Sequence, residues 1–353
     1  MRTLRGVTAG IVLLAIACSD TSDPSDSVRS YRMGFSAIPP RLDFDLLVRS
    51  LDMWSTRADA AIMHVSVPWR GLLEGFSADS LLTLDGIGIA QYYASKQLAL
   101  TVMIDVTDGL NRAAEAPELV ALGRSITEPA VQQLYRHYAR AVATRLNPDY
   151  LGLAAETNLI RVAAPAPVYH AVVTMTNAAA ADLRAQGTTA KLYVSVQVEV
   201  AWGRLQGTSQ FQGVEQDFRD FPFIQVLGLS SYPYLGGFTE PEQIPQDYFT
   251  RVRGNHDLDL LLVEGGWASQ SVGGFTTSQE KQARYIRHLA KVADASGLIR
   301  WFQLSFTDLD TSAFPDAPPI LVLFATLGLV DMNLQPKPSL NVWDSVYAVS
   351  SKQ

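Results

Sequence analysis

Two glutamates stand where apolar runs stop. Leu260, Leu261, Leu262 and Val263 lead directly into Glu264, and Leu151-Gly152-Leu153-Ala154-Ala155 leads into Glu156. Runs this short and this apolar read as strands covered on both faces, as in a parallel sheet. A carboxylate at the end of such a strand emerges at the carboxyl edge of the sheet, where barrel enzymes place their chemistry. Other strand-like runs end at His64 and Trp69, at Asp105, at Gln197 and Trp202, and at Tyr232, while Asn158 follows Glu156 and Trp267 follows Glu264. Two carboxylates among aromatic and amide side chains suit the hydrolysis of a glycosidic bond. One carboxylic acid protonates the leaving oxygen, a second carboxylate attacks the sugar or activates water, and aromatic faces stack on sugar rings. Glu199 competes for a role, but it alternates with Val198 and Val200, which reads as the interior of a strand.

The elements that must position these residues repeat. Apolar strand-like runs begin near residues 31, 60, 98, 150, 191, 224, 258 and 299, with helical patterns between them. Residues 126–146 carry Thr127 as N-cap, Pro129 in the first turn, and a stripe of Val131, Leu134, Tyr135, Tyr138 and Val142. Residues 277–297 open on a Thr277-x-x-Glu280 capping box and stop at Gly297. Eight strands alternating with helices predict a single (β/α)8 TIM barrel over residues 31–350. An open doubly wound sheet would carry a glycine-rich phosphate turn after its first strand, and "GFSAIPPRLD" has none. No long insertion stands out between elements, which predicts an open groove at the strand ends.

The segments "LGLAAETNLI", "VLGLSSYPYL" and "LLLVEGGWAS" resemble the clan of retaining (β/α)8 glycosidases, with most likeness to the arabinogalactan endo-β-1,4-galactanase family. The resemblance implies that Glu156 is the general acid/base, Glu264 the nucleophile, and Tyr232 a strand-six tyrosine that positions the nucleophile. It also implies a neutral β-linked, galactan-like substrate and double displacement, for which the two carboxyls must lie about 5–5.5 Å apart rather than the roughly 6.5–9.5 Å of an inverting pair. Two positions depart from the clan. Ala155 replaces the asparagine before the acid/base, leaving Asn158 as a substitute amide, and "MHVSVPW" lacks the clan's strand-two arginine. These departures keep a non-catalytic glycan-binding lipoprotein as the alternative. His64, Trp69, Asp105, Gln197, Trp202 and Trp267 complete the expected substrate-binding set, with Asp108 as a turn residue.

Length and charge set the remaining bounds. The chain of 353 residues opens with Arg2, Arg5 and an apolar run from Val7 to Ala17, an export signal over residues 1–17 that is too short to span a bilayer. Ala15-Ile16-Ala17 before Cys18, the single cysteine, permits ordinary cleavage after an A-x-A site or lipoprotein cleavage that leaves Cys18 lipidated, and the lipoprotein is expected. Residues 18–30 are then a polar tether, and the exported protein contacts the membrane only through that anchor. Net charge is −7, and −9 once Arg2 and Arg5 leave, without Lys/Arg clusters. That balance argues against nucleic acid as a partner. No metal-ligand spacing and no G-x-S-x-G elbow occurs, so neither metal nor cofactor is expected. The expected state is a monomer.

Overall fold

The computed structural model describes residues 28–352 apart from residues 206 and 209. The leader, Cys18 and the tether up to residue 27 lie outside the described residues. Residues 28–30 belong to the folded body rather than to a tether. Arg29 is buried, its guanidinium pairs with Asp59 at 2.5 Å, and its backbone hydrogen-bonds Ser350 and Lys352.

The strands are β1 (Arg32–Ser36), β2 (Ala60–Ser66), β3 (Ala99–Asp105), β4 (Tyr150–Gly152), β5 in two stretches (Lys191–Tyr193 and Ser195–Gln197), β6 (Val226–Ser231), β7 (Asp259–Gly265) and β8 (Leu298–Ser305). All neighbours are parallel, and β1 pairs with both β2 and β8, closing the ring on that side. The two stretches of β5 are one crossing of the barrel interrupted at Val194. Lys191–Tyr193 pairs with β4 and Ser195–Gln197 with β6, so eight strands complete the circuit. This is the (β/α)8 barrel expected from the repeat of apolar runs.

Most of the core lies between the strands and the helices, but a second cluster fills the barrel itself with Ile62, Met103, Tyr193, Leu261, Val263 and Phe302. The Tyr193 ring fits only because Gly152 and Gly228 carry no side chain: a Cβ on either would come within 2.8 Å of that ring. Leu260 to Val263 have no exposed surface, and burying each side chain contributes roughly 1.5–3 kcal/mol. β7 is thereby fixed in depth, and its last residues are delivered to the rim.

Two helix starts differ from the expected caps. Helix Pro129–Leu146 is capped at Glu128, because Pro129 takes the first helical position; the Thr127 hydroxyl contacts Ser125 instead. Helix Gln279–Ser296 is capped by Ser278, which accepts from Lys281 N, while Thr277 accepts from Trp267 Nε1 and donates to Ala268 O. The open groove is also corrected. After β8 the chain makes an excursion through residues 306–330 with two short 3-10 turns, Thr311–Ala313 and Pro319–Leu323, and folds over the strand ends. Leu309 N bonds Ala325 O at the base of this segment, and Tyr234 Oη donates to Leu323 O at 2.7 Å, fastening it down.

Candidate active site

β4 ends early, and Glu156 stands at the turn into helix Thr157–Ala163 with φ 49° and ψ 47°. A non-glycine residue in this left-handed region costs of order 1–3 kcal/mol and persists only where its surroundings dictate it. Here Ser195 Oγ accepts from Glu156 N at 2.9 Å, and buried Asp217 holds the helix from below through Thr157 and Arg161. Glu264, the next-to-last residue of β7, faces Glu156 across the barrel mouth. Between them lies the hydroxyl of Ser230 on β6, 2.6 Å from Glu156 Oε1 and 2.7 Å from Glu264 Oε1. The two oxygens cannot be farther apart than those two contacts laid end to end. That limit falls within the about 5–5.5 Å of a retaining pair and short of the inverting range.

Ser230 has one proton for two acceptors. If both glutamates were ionised, one of these short contacts would have no hydrogen in it, so the trio holds an additional proton. Burial pushes both carboxyls above the ordinary carboxylate range, more strongly than the Arg112 charge and the Ser230 hydrogen bond pull them down. Two buried carboxyls joined this way titrate as a pair, the second proton leaving less readily than the first.

Arg112 was not singled out in the sequence. It sits on a two-stranded hairpin, Thr107–Asp108 with Asn111–Glu115, beyond β3. Its Nη1 contacts both Asp105 oxygens at 2.6 and 2.7 Å, and its Nε donates to Glu156 Oε2 at 2.9 Å. The site therefore has an arginine, although the strand-two position lacks one. Asp108 makes the hairpin turn, accepting from Leu110 N and Asn111 N.

His64 Nδ1 lies 3.3 Å from Ser36 Oγ and its Nε2 3.5 Å from Glu264 Oε2, without a formed hydrogen bond at that nitrogen. Burial drives the imidazole down to about 4, so it is neutral near pH 7. Tyr232 Oη reaches Glu264 Oε1 at 3.4 Å. Glu156, Glu264, His64, Asp105, Gln197 and Tyr232 all line one cavity of about 730 Å³, together with Arg112.

Four expected binding residues do not line it. Asn158 is fully buried and staples β5, its amide exchanging bonds of 2.7 and 2.9 Å with the Gln197 backbone; the left-handed turn at Glu156 points this face of the helix away from the cavity. Trp267 is 1% exposed, hydrogen-bonded to Thr277 and packed against Tyr234 and Tyr285. Trp69 is buried in the core between strands and helices. Trp202 stacks on Tyr248 with Arg251 over its ring. Each is held by packing, not presented to a ligand. Gln197 lines the cavity, yet its amide is committed to Glu199 and to Val200 N.

Glu199 lies in a helical turn, Val198–Ala201, rather than in a strand, and has no exposed surface. Its carboxylate accepts from Gln197 Nε2, Ser231 Oγ, Tyr232 N and Tyr248 Oη. It ties the ends of β5 and β6 together and so sets Tyr232.

Several solved structures with this arrangement of strands are glycosidases by name. Over 91% of its length the chain superposes on an exo-β-1,4-mannosidase from Opitutaceae bacterium strain TAV5, with a TM-score of 0.67 and 16% identity, and it spans 60% of that protein. The fold is that of glycosidase barrels. A GH5_18 protein from Bifidobacterium longum subsp. infantis matches 92% of the chain and 80% of its own length at TM-score 0.62 and 15% identity. A β-glucosidase from Thermotoga maritima matches 87% and 86% at 0.60 and 14%. No protein-family model and no curated protein matches the sequence.

Proposed function

We propose that this protein is a retaining glycoside hydrolase acting on neutral β-linked sugars, with Glu264 as nucleophile and Glu156 as general acid/base. The observation that carries the reading is the single Ser230 hydroxyl in contact with both carboxylates. It keeps them within the spacing of double displacement and leaves one proton between them. Glu264 attacks the anomeric carbon as the bond to the leaving oxygen breaks, and the Glu156 proton goes to that oxygen. Water, deprotonated by Glu156, then releases the sugar from Glu264.

Arg112 donates directly to Glu156 and to no oxygen of Glu264. At rest this contact favours charge on Glu156 and the proton on Glu264. Ser230 supplies the route to the reactive state. Protonated Glu264 gives its hydrogen to Oγ while Oγ passes its own to Glu156, leaving Glu264 ionised and Glu156 acidic. Asp105 shares the Arg112 charge, which weakens its hold on Glu156 during that transfer.

Galactan is the substrate suggested by "SSYPY", of which Tyr232 faces the cavity while Tyr234 is a buried packing residue. A non-catalytic glycan-binding protein is the second reading, favoured by the absence of an uncommitted amide beside Glu156 among the cavity-lining residues. Hydrolysis of aryl β-galactoside, β-mannoside and β-glucoside and of the matching polysaccharides separates the two. Turnover by the parent and its loss in Glu264→Gln is the expected result; binding without turnover on every substrate refutes the enzyme. The apolar leader and Cys18 support export with a lipid anchor, which the mass of the mature N-terminus tests.

A further inference from the structure

The cavity is divided in composition. Among the described residues its polar side chains, Glu156, Glu264, Arg112, Asp105, His64 and Tyr232, converge on the strand ends, with only the committed Gln197 beside them. The walls above are aliphatic and phenyl. One side carries Leu110, Leu159, Leu205 and Leu235, and the excursion after β8 contributes the other, with Leu309, Phe314, Ile320, Leu321, Leu323 and Phe324. No tryptophan lines it; five of the six are buried in the core and Trp202 is covered by Tyr248 and Arg251.

A second and third sugar placed against such walls would lose water from their hydroxyls and find no side-chain donor or acceptor among the described residues there. The rings that do line it are the phenyls of Phe275, Phe314 and Phe324 and the Tyr232 ring beside the glutamates, surfaces that suit an apolar group. The polar side chains gather beside the glutamates, and the part of the cavity lined by leucine and phenyl groups suits an apolar body. The apolar surface continues to the outside: Leu205 and Ile320 of the walls are 39% and 41% exposed, and Val322 beside them 43%. Leu42 and Phe44 at the end of the β1 loop are 87% and 76% exposed. That loop adjoins the excursion through Asp310 N to Pro40 O at 2.8 Å. Apolar side chains that both line the cavity and reach solvent, as Leu205 and Ile320 do, mark a site for an apolar partner.

We propose that the substrate is a β-glycoside with an apolar aglycone, its single sugar seated on the glutamates and its alkyl or acyl-type chain lying along the leucine walls. This rests on the glycosidase reading and sets an apolar leaving group in place of the galactan chain suggested by "SSYPY". Hydrolysis breaks the bond between the anomeric carbon and the aglycone oxygen; the oxygen takes the Glu156 proton and departs as the alcohol, and water supplies the sugar's new hydroxyl.

The test uses the full chain with methyl, butyl and octyl β-glycosides of galactose, mannose and glucose, each below its micelle concentration. Full burial raises kcat/KM about fourfold per methylene, from ~0.8 kcal/mol for each, so a partly buried octyl chain is expected to exceed methyl by at least about a hundredfold. Leu205→Asp and Ile320→Asp, both at half-exposed positions, are expected to cut the octyl-to-methyl ratio about tenfold or more. Equal rates for methyl and octyl, or a β-1,4-linked trisaccharide outperforming octyl, overturns the proposal. Calorimetry with uncleavable octyl and methyl thioglycosides separates this claim from catalysis. Chain-length-dependent binding without turnover upholds the apolar subsite and removes the hydrolase, whereas turnover with flat chain-length dependence does the reverse. Vesicles carrying a glycosyl diacylglycerol identify the source: cleavage there assigns a membrane lipid, and cleavage of monomeric octyl glycoside alone assigns a soluble amphiphile.

Discussion

Ser230→Ala removes one hydroxyl from between two buried carboxyls and leaves the fold's packing almost untouched. The bond lost is one to a charged group, worth about 1.5–3 kcal/mol, which corresponds to about 1–2 pH units of carboxyl titration. Ser230 pulls both glutamates down against the larger effect of burial, so deleting it moves both further up. The nucleophile must be ionised, and the acidic limb of the kcat/KM profile therefore rises by about 1–2 units. The alkaline limb, set by the protonated acid/base, rises with it. kcat falls at the old optimum, because the route that carries the proton from Glu264 to Glu156 is gone. Stability follows the same sign. A carboxyl raised above its unfolded value contributes stability that is complete below about pH 4.3 and lost as pH rises through its folded value. Melting temperature should thus fall between acidic and neutral pH, and fall more steeply in the variant. The assay is a pH series of kcat/KM on an aryl β-glycoside, with thermal melts alongside. Limbs that stay in place in a folded Ser230→Ala protein would refute the shared-proton argument.

Two further outcomes follow from the charges around the site. Arg112→Met leaves Asp105 and Glu156 without their cation, and breaking such a buried pair should cost about 3–5 kcal/mol in denaturant unfolding, with the alkaline limb of any residual activity shifted upward. A loss under about 1 kcal/mol would contradict the burial argument. Glu199→Gln should be tolerated, since the Ser231 and Tyr248 hydroxyls can turn to accept from an amide. Glu199→Leu orphans four donors at about 1–3 kcal/mol each and should yield little soluble protein. Equal expression and melting of the two would show that Glu199 does not hold the strand ends.

The strands were legible because each is buried on both faces, and such runs stand out in any sequence; their ends gave Glu156, Glu264, His64, Asp105, Gln197 and Tyr232 without further information. What was not legible depends on direction. Asn158 and the tryptophans sit near the strand ends in sequence, but whether a side chain there points into the mouth or back into the core depends on turn geometry, and the left-handed turn at Glu156 has no signature in a glutamate. Arg112 lies in "GLNRAAE", a polar stretch outside every apolar run, and reaches the site only because a hairpin folds back over β3. The apolar excursion "PPILVLF" has neither strand nor helix period, so its place over the cavity comes from tertiary contacts alone. Glu199 misled because Val-Glu-Val alternates like a strand; the four donors that hold it come from elements dispersed in sequence.

The proposed mechanism requires Glu264 to bond to the sugar. Incubation with an activated 2-deoxy-2-fluoro β-glycoside, which forms the glycosyl-enzyme quickly and releases it slowly, followed by intact mass and peptide mapping, tests this directly. One sugar attached to the peptide at Glu264, and none in Glu264→Gln, is the predicted result. A label on Glu156, or turnover of the reagent without any covalent adduct, would contradict the assignment.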